Sequence, residues 1–155
     1  MFSSNTNEWA TPQDIFDDLN KIYNFTLDPC ASPDNHKCKK YFTIEDDGLF
    51  QRWGGRVFMN PPYGREIGKW IKKAYDEYSN GALVVCLIPS RTDTKYWHDY
   101  VMKGHIHFIK GRLKFGDSKQ GAPFPSAIVV FGEDFDDKKI NTYYIRKPNR
   151  INILL

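Results

Sequence analysis

Arg56-Val57-Phe58-Met59-Asn60-Pro61-Pro62-Tyr63-Gly64 decides the reading of this chain. The segment Arg56 to Met59 carries a short apolar run that reads as a buried strand. Two consecutive prolines have no N–H to give a sheet ladder, so the strand ends at Asn60. Asn60 to Tyr63 then make a rigid loop at the carboxyl end of a strand, with a carboxamide, two fixed carbonyls and an aromatic ring in succession. That set of groups holds a planar, amine-bearing molecule and presents its nitrogen to an electrophile.

Outward from this loop, strands and helices alternate. Thr11-Pro12-Gln13-Asp14 reads as a helix start, with Thr11 as N-cap, Pro12 in the first turn and Asp14 at the positive helix end. Ile15, Phe16, Leu19 and Ile22 then share one face. Phe25-Thr26-Leu27 reads as a first strand that ends at Asp28-Pro29-Cys30-Ala31, before a polar, basic loop from Ser32 to Lys40. Asp46-Asp47-Gly48 is a turn. Ile67, Trp70, Ile71, Ala74, Tyr75 and Tyr78 have the spacing of one helical face. Ala82 to Ile88 is a continuous apolar run stopped by Pro89, the pattern of a central strand buried on both faces. A helix is expected from Asp93 to Met102, and strands at Ile106 to Ile109 and Ala127 to Phe131. Between those strands lies a loop rich in Gly and Lys, from Gly111 to Pro125. A charged stretch from Glu133 to Lys139 precedes an expected edge strand around Tyr143 to Ile145.

This order predicts a single α/β domain with a mostly parallel central sheet, helices on both faces and no separate target-recognition domain. Ligands of such sheets bind beyond the carboxyl ends of the strands, so the Asp28 and Asn60 loops are expected in one crevice. The chain has 155 residues, of which 41% are hydrophobic and 15% aromatic, values of a globular domain. No apolar run reaches the roughly 18 residues of a membrane span. Met1-Phe2-Ser3-Ser4-Asn5 lacks a basic region leading into an apolar stretch, so no signal peptide is read there. Three cysteines without disulfide spacing point to a reducing, cytoplasmic setting. A net charge of +3 permits a nucleic-acid partner without indicating one.

The chemistry expected of the Asn60 loop comes from its donors and acceptors. The tetrapeptide Asn60 to Tyr63 resembles the signature loop of amino-methyltransferases, which act on adenine, on cytosine or on glutamine. The exocyclic amine of adenine, for example, is a poor nucleophile because its lone pair is delocalised into the ring. Acceptors on its two N–H groups, the Asn60 side-chain oxygen and the Pro61 carbonyl, favour a geometry that can attack. Tyr63 supplies a stacking face. A carboxylate at Asp28 suits a ligand's ammonium group, and the absence of a Gly-x-Gly phosphate loop suits a cofactor without phosphate. Trp9 is placed to shield that cofactor and Thr11 to bond its carboxylate. A proline turn, a turn aspartate and a helix cap are the plainer alternatives for the same residues. Cys30, His36 and Cys38 lack a fourth ligand at a zinc spacing, and no metal is expected. Arg91, Lys95, Lys103, Lys110, Arg112, Lys114 and Lys119 are interleaved with Tyr96, Trp97, Phe108 and Phe115. That pattern suits phosphate neutralisation and base stacking, or else an ordinary solvated surface over core aromatics.

Several segments together resemble one family. Glu8-Trp9-Ala10-Thr11-Pro12, Leu27-Asp28-Pro29-Cys30-Ala31, Asp47-Gly48-Leu49, the Asn60 loop, Ile88-Pro89-Ser90-Arg91, Arg112-Leu113-Lys114-Phe115 and Ala122-Pro123-Phe124-Pro125-Ser126 are similar to the phage-type Dam DNA adenine methyltransferases. The resemblance runs from Glu8 to Phe131. It implies a Rossmann-like class I methyltransferase fold that uses S-adenosylmethionine to methylate the N6 amine of adenine in DNA, in the bacterial host cytoplasm for a phage or prophage member. Trp9, Thr11, Pro12, Asp28, Cys30, Ala31, Asp46, Asp47 and Asn60 are then expected around the cofactor. Asn60, Pro61, Pro62 and Tyr63 are expected to hold a flipped base, and Arg91, Lys95, Arg112, Lys114 and Phe115 to meet DNA. The chain departs from many methyltransferases in having Asp28-Pro29-Cys30 where they carry a Gly-rich first motif. Two other readings share part of this pattern: glutamine methylation of a protein, which uses the same loop, and a DNA-binding module with a degenerate cofactor pocket.

Overall fold

The apolar run before Pro89 forms a strand with neighbours on both sides, and the rest of the sheet is assembled around it. The computed structural model describes residues 9–132 and 140–145. Its strands are β1 (Arg56–Met59), β2 (Leu83–Pro89), β3 (His105–Lys110), β4 (Ser126–Phe131) and β5 (Ile140–Tyr144), in the order β1-β2-β4-β3-β5. The helices are α1 (Gln13–Tyr23), α2 (Ile67–Ser79) and the short α3 (Lys95–Asp99). β1 pairs parallel with β2 and β3 with β5, while β4 is antiparallel to both β2 and β3. Four of the five strands therefore run one way, with β4 reversed among them. The link from β3 to β4 contains no helix to carry a parallel crossover, so the chain returns antiparallel.

Cross-strand partners share a face, which fixes where each helix lies. Phe58 is in register with Val85, and Val85 with Val130. The α1 residue Phe16 meets Phe58 edge-on at 5.2 Å, so α1 covers that face. Val57, Val84 and Phe131 point to the other face, where Tyr75 of α2 packs edge-on against Phe131 at 5.8 Å. By the same parity Trp97 of α3, stacked on Phe108, lies on the α2 side. Val57, Val84, Val85, Ile128, Val129 and Phe131 are all buried between the helices.

Several expectations are corrected. Thr11 is not the cap of α1; Pro12 occupies that position and no side chain caps the helix. Phe25 to Leu27 does not form a full strand, although Leu27 bridges Val57 in parallel and Thr26 and Phe58 exchange backbone hydrogen bonds with Arg56 and Leu27. β2 is internal, but the middle strand is β4, buried along its whole length. The helix expected from Asp93 to Met102 is α3 followed by a separate turn of 3-10 helix, Val101–Lys103. Glu8 and the charged stretch from Glu133 to Lys139 lie outside the described residues. No helix among the described residues is long and apolar enough to cross a membrane.

Candidate active site

Leu27 and β1 run parallel, so the segments that come after them, Pro29 to Ser32 and Asn60 to Pro62, emerge at the same edge of the sheet. There they line one pocket of about 440 Å³ with Trp9, Ala10, Phe42, Thr43, Ile44, Asp47, Gly48 and Trp70. The pocket joins apolar walls to a few polar groups; among the described residues its lining has no Lys or Arg, and Asp47 is its one charged side chain.

Asn60 sits at the junction of three segments. Its Nδ2 donates to the Trp9 carbonyl at 2.5 Å and to Thr11 Oγ1 at 2.9 Å, while its Oδ1 accepts from the Tyr63 hydroxyl at 2.6 Å. The Trp9 carbonyl can only accept, which fixes which end of the amide faces it. Tyr63 also lies 3.0 Å from the Leu87 carbonyl and is only 2% exposed. Burial pushes its hydroxyl well above the ordinary tyrosine range, with the Arg91 charge pulling the other way. Its ring meets Phe115 and Phe124 edge-on at 6.1 and 5.7 Å, and Trp9 packs against the same two rings. Tyr63 is thus enclosed by aromatic side chains, not open in a crevice.

The other expected residues divide between the pocket and its frame. Trp9, Cys30, Ala31, Asp47, Asn60, Pro61 and Pro62 line the pocket. Asp28 does not. Its two oxygens accept the N–H groups of Cys30 at 3.2 Å and Lys37 at 2.9 Å, which folds the Cys30 to Lys40 loop around it. Burial holds its carboxyl above the usual range, against those two N–H bonds and the nearby His36 and Lys37 charges. Asp46 likewise accepts from the Thr43 N–H at 2.9 Å and hydroxyl at 3.1 Å, so it shapes the turn from outside the pocket. Thr11 anchors Asn60, and Pro12 lines a separate cavity beside α1. Among the basic candidates, Lys95 is ion-paired to Asp99 and Arg112 donates to the Ala122 carbonyl at 3.2 Å. Arg91 and Lys114 are exposed, whereas Phe115 is 5% exposed and belongs to the aromatic cluster.

Phe42, Thr43, Ile44, Gly48 and Trp70 are pocket residues that sequence reasoning missed. Trp70 was legible only as part of the buried face of α2. Gly48 carried a better signal. A Cβ there would stand 2.4 Å from the Pro29 carbonyl oxygen and 3.1 Å from Trp70 Cη2, so only glycine lets the turn close on the Asp28 loop. His36 Nδ1 contacts the Cys38 carbonyl at 2.8 Å and its ring stacks on Tyr41, and no metal-binding group of His, Cys, Asp or Glu occurs among the described residues.

Comparison with known proteins identifies the family of the chain. The chain is 25% identical over 163 residues to the DNA N-6-adenine-methyltransferase of Escherichia phage T1, a match spanning 88% of this chain and 67% of the phage protein. It is also 39% identical over 64 residues to the putative methyltransferase YfdM of Escherichia coli K12, spanning 36% of this chain and 70% of that protein. The family model described as DNA N-6-adenine-methyltransferase (Dam) matches residues 2–152. The chain therefore belongs to the Dam family of adenine-specific DNA methyltransferases.

Proposed function

We propose that this chain transfers a methyl group from S-adenosylmethionine to the N6 amine of a DNA adenine that has left the base stack, within a Rossmann-like methyltransferase fold. One observation carries the reading: the segments after Leu27 and β1 converge on a single pocket that ends at Asn60-Pro61-Pro62. The donor set fits the methyl donor. A pocket whose described lining has no Lys or Arg, one carboxylate and apolar walls suits a nucleoside that bears positive charge and no phosphate. Trp9, Phe42, Ile44 and Trp70 offer apolar surface to its rings. Asp47, Thr43 and Asn35, which also lines the pocket, offer hydrogen bonds, and Asp28 acts by holding the loop that carries Cys30 and Ala31. Bound there, S-adenosylmethionine supplies an electrophilic methyl group on a sulfonium.

The chain's own residues then handle the amine. Asn60 Oδ1 and the Pro61 carbonyl accept its two N–H groups, and these bonds strengthen as the nitrogen becomes electron-poor. The surplus proton, acidic once the nitrogen carries the methyl group, leaves to water. Stacking on Tyr63 offsets part of the cost of taking the base out of the helix. In the enclosed arrangement, the Tyr63 hydroxyl holds Asn60 Oδ1, the Phe115 and Phe124 rings cover Tyr63, and Trp9 packs against those two rings. Admission of the base requires this cluster to part and Oδ1 to exchange the Tyr63 hydroxyl for the substrate amine.

The test is single-turnover transfer of radiolabelled methyl to DNA, with the modified base identified after digestion. Asn60→Ala should lower the rate by about 10²–10³, the usual effect of removing one positioned polar partner. Asn60 also lines the cofactor pocket, so the rate is read at saturating S-adenosylmethionine, where a change in cofactor affinity does not enter it. Equal rates in folded wild-type and Asn60→Ala protein would overturn the mechanism. Label entering protein glutamine in place of DNA would overturn the substrate.

A further inference from the structure

A second cavity, of about 550 Å³, lies beside the candidate active site on the other side of the Trp9 to Pro12 segment. Its walls are Pro12, Asp14 and Ile15 at the start of α1, Lys110 to Lys114 after β3, and Tyr144 and Ile145 at the end of β5. The turn at Gly111, with φ of 91°, sends the chain out of β3 and along the groove. Lys110, Arg112 and Lys114 are all exposed in this wall, against one carboxylate, Asp14.

What sets these three cations apart is that they converge on one cavity; Lys39, Lys40, Arg65, Arg91 and Lys119 are also exposed without an ion pair among the described residues, but none of them lines it. Lys69, Lys72, Lys73 and Lys95 are ion-paired with Glu66, Asp76, Glu77 and Asp99. Among the described residues, Lys110, Arg112 and Lys114 have no such partner. Lys110 Nζ is held 5.6 Å over the Tyr144 ring, and one guanidinium nitrogen of Arg112 is fixed by the Ala122 carbonyl, which leaves most of its donors for a ligand. Among the described residues, three positive charges thus converge on this groove with no ion pair to any of them.

The groove is also mechanically joined to the site. Lys114 precedes Phe115, which packs on Trp9 and Tyr63, and Gly116 donates its N–H to the Ala10 carbonyl at 3.0 Å. On the opposite wall Pro12 comes directly after Thr11, which holds Asn60. With DNA as the proposed substrate, a reading on which this step rests, we infer that this groove binds the phosphodiester backbone of the DNA strand and so sets the target nucleotide against the Asn60 loop. Lys110, Arg112 and Lys114 neutralise its phosphates.

The experiment is DNA binding by full-length protein as a function of salt, in the presence of S-adenosylhomocysteine. Each phosphate neutralised on duplex DNA contributes about 0.9 to the slope of log affinity against log salt. The triple variant K110Q/R112Q/K114Q should lower the magnitude of that slope by about 2–3. A control that removes two ion-paired lysines from α2, K69Q/K72Q, should leave the slope at its wild-type value. Unchanged binding of S-adenosylhomocysteine by the triple variant would show that the fold is intact. If the triple variant keeps the wild-type slope while wild type methylates DNA, the groove assignment falls and the enzymatic reading stands. An equal loss per charge in the α2 control also overturns the groove, since net charge alone would then explain it. Groove-dependent binding without methyl transfer would keep the groove and remove the enzymatic reading. Absence of DNA binding by wild type would remove both.

Discussion

Asn60 holds Trp9, Thr11 and Tyr63 together through one carboxamide, and this makes Tyr63 the informative residue to vary. Tyr63→Phe keeps the ring and removes the hydroxyl that reaches Asn60 Oδ1 and the Leu87 carbonyl. The expected cost is about 1 kcal/mol of stability. Single-turnover methylation should stay within roughly tenfold of wild type, a change of about 1.4 kcal/mol in barrier. A loss of three orders of magnitude with a normal melting curve would give the hydroxyl a direct chemical role. Gly48 offers the complementary test on the pocket wall. Gly48→Ala drives a methyl group into the Pro29 carbonyl and the Trp70 ring, so the Asp28 and Asp47 loops must separate. Overpacking of this kind costs about 1–3 kcal/mol. Calorimetric titration should show S-adenosylhomocysteine affinity falling about tenfold or more, equivalent to about 1.4 kcal/mol. Wild-type affinity in that variant would mean that this wall does not touch the cofactor.

At the scale of elements, α2 shows how a helix can tie a loop to the sheet. Its buried Glu77 accepts the backbone N–H of Trp53 at 2.6 Å, and Lys73 and Arg52 lie 3.2 and 3.7 Å from the same carboxylate. Trp53 in turn donates its indole N–H to the Gly48 carbonyl at 2.9 Å, so the chain that leads into β1 and the turn beside the pocket hang on one carboxylate. Glu77→Ala leaves a buried N–H without a partner and should cost about 2 kcal/mol. For a chain of this size that lowers the melting temperature by roughly 4–8 °C. Glu77→Gln keeps an acceptor and should recover most of the loss in the same thermal scan. The positions of α1, α2, β1 and β2 were legible because their apolar spacing follows one period. The place of β4 was not. A fully apolar strand reads the same in the second place from an edge as in the middle, and only pairing with both β2 and β3 distinguishes them.

For the whole molecule, the buried thiols and Tyr63 set the response to alkali. Burial pushes Cys38 up to about 12 and raises Cys30 and Cys86 well above the ordinary thiol value of 9.0, Cys30 with Asp28 and Cys86 adding their charges. Burial raises Tyr63 in the same sense. The folded chain therefore keeps protons that the unfolded chain releases above about pH 9, and stability must fall as pH rises through that window. The limiting slope is about 1.4 kcal/mol per pH unit for each such group. Denaturant titrations at about pH 7.5 and about pH 10 should show the midpoint dropping, and Cys86→Ala should reduce that dependence. Cys38 and Cys86 are buried, whereas Cys30 lines the pocket, so iodoacetamide near neutral pH should modify Cys38 and Cys86 only after denaturant is added. Rapid alkylation of Cys38 and Cys86 in the folded protein would contradict their burial.

The sequence by itself determined the strand-then-proline loop at Asn60, the amphipathic helices and the alternation that makes an α/β sheet with sites at its carboxyl edge. These come from local rules: proline cannot extend a ladder, and an apolar face repeats with the period of its element. Only the tertiary structure decided which polar atoms face the pocket and which are spent on the chain itself. Asp28 and Asp46 look from sequence like ligand carboxylates, yet their oxygens close loops by accepting backbone N–H groups. Tyr63 looks like an open stacking face, yet Phe115 and Phe124, brought from distant positions in the chain, enclose it. The physical reason is that a polar group's partner is chosen by distance in space, and that distance is set by how the helices and the reversed β4 pack, not by spacing along the chain.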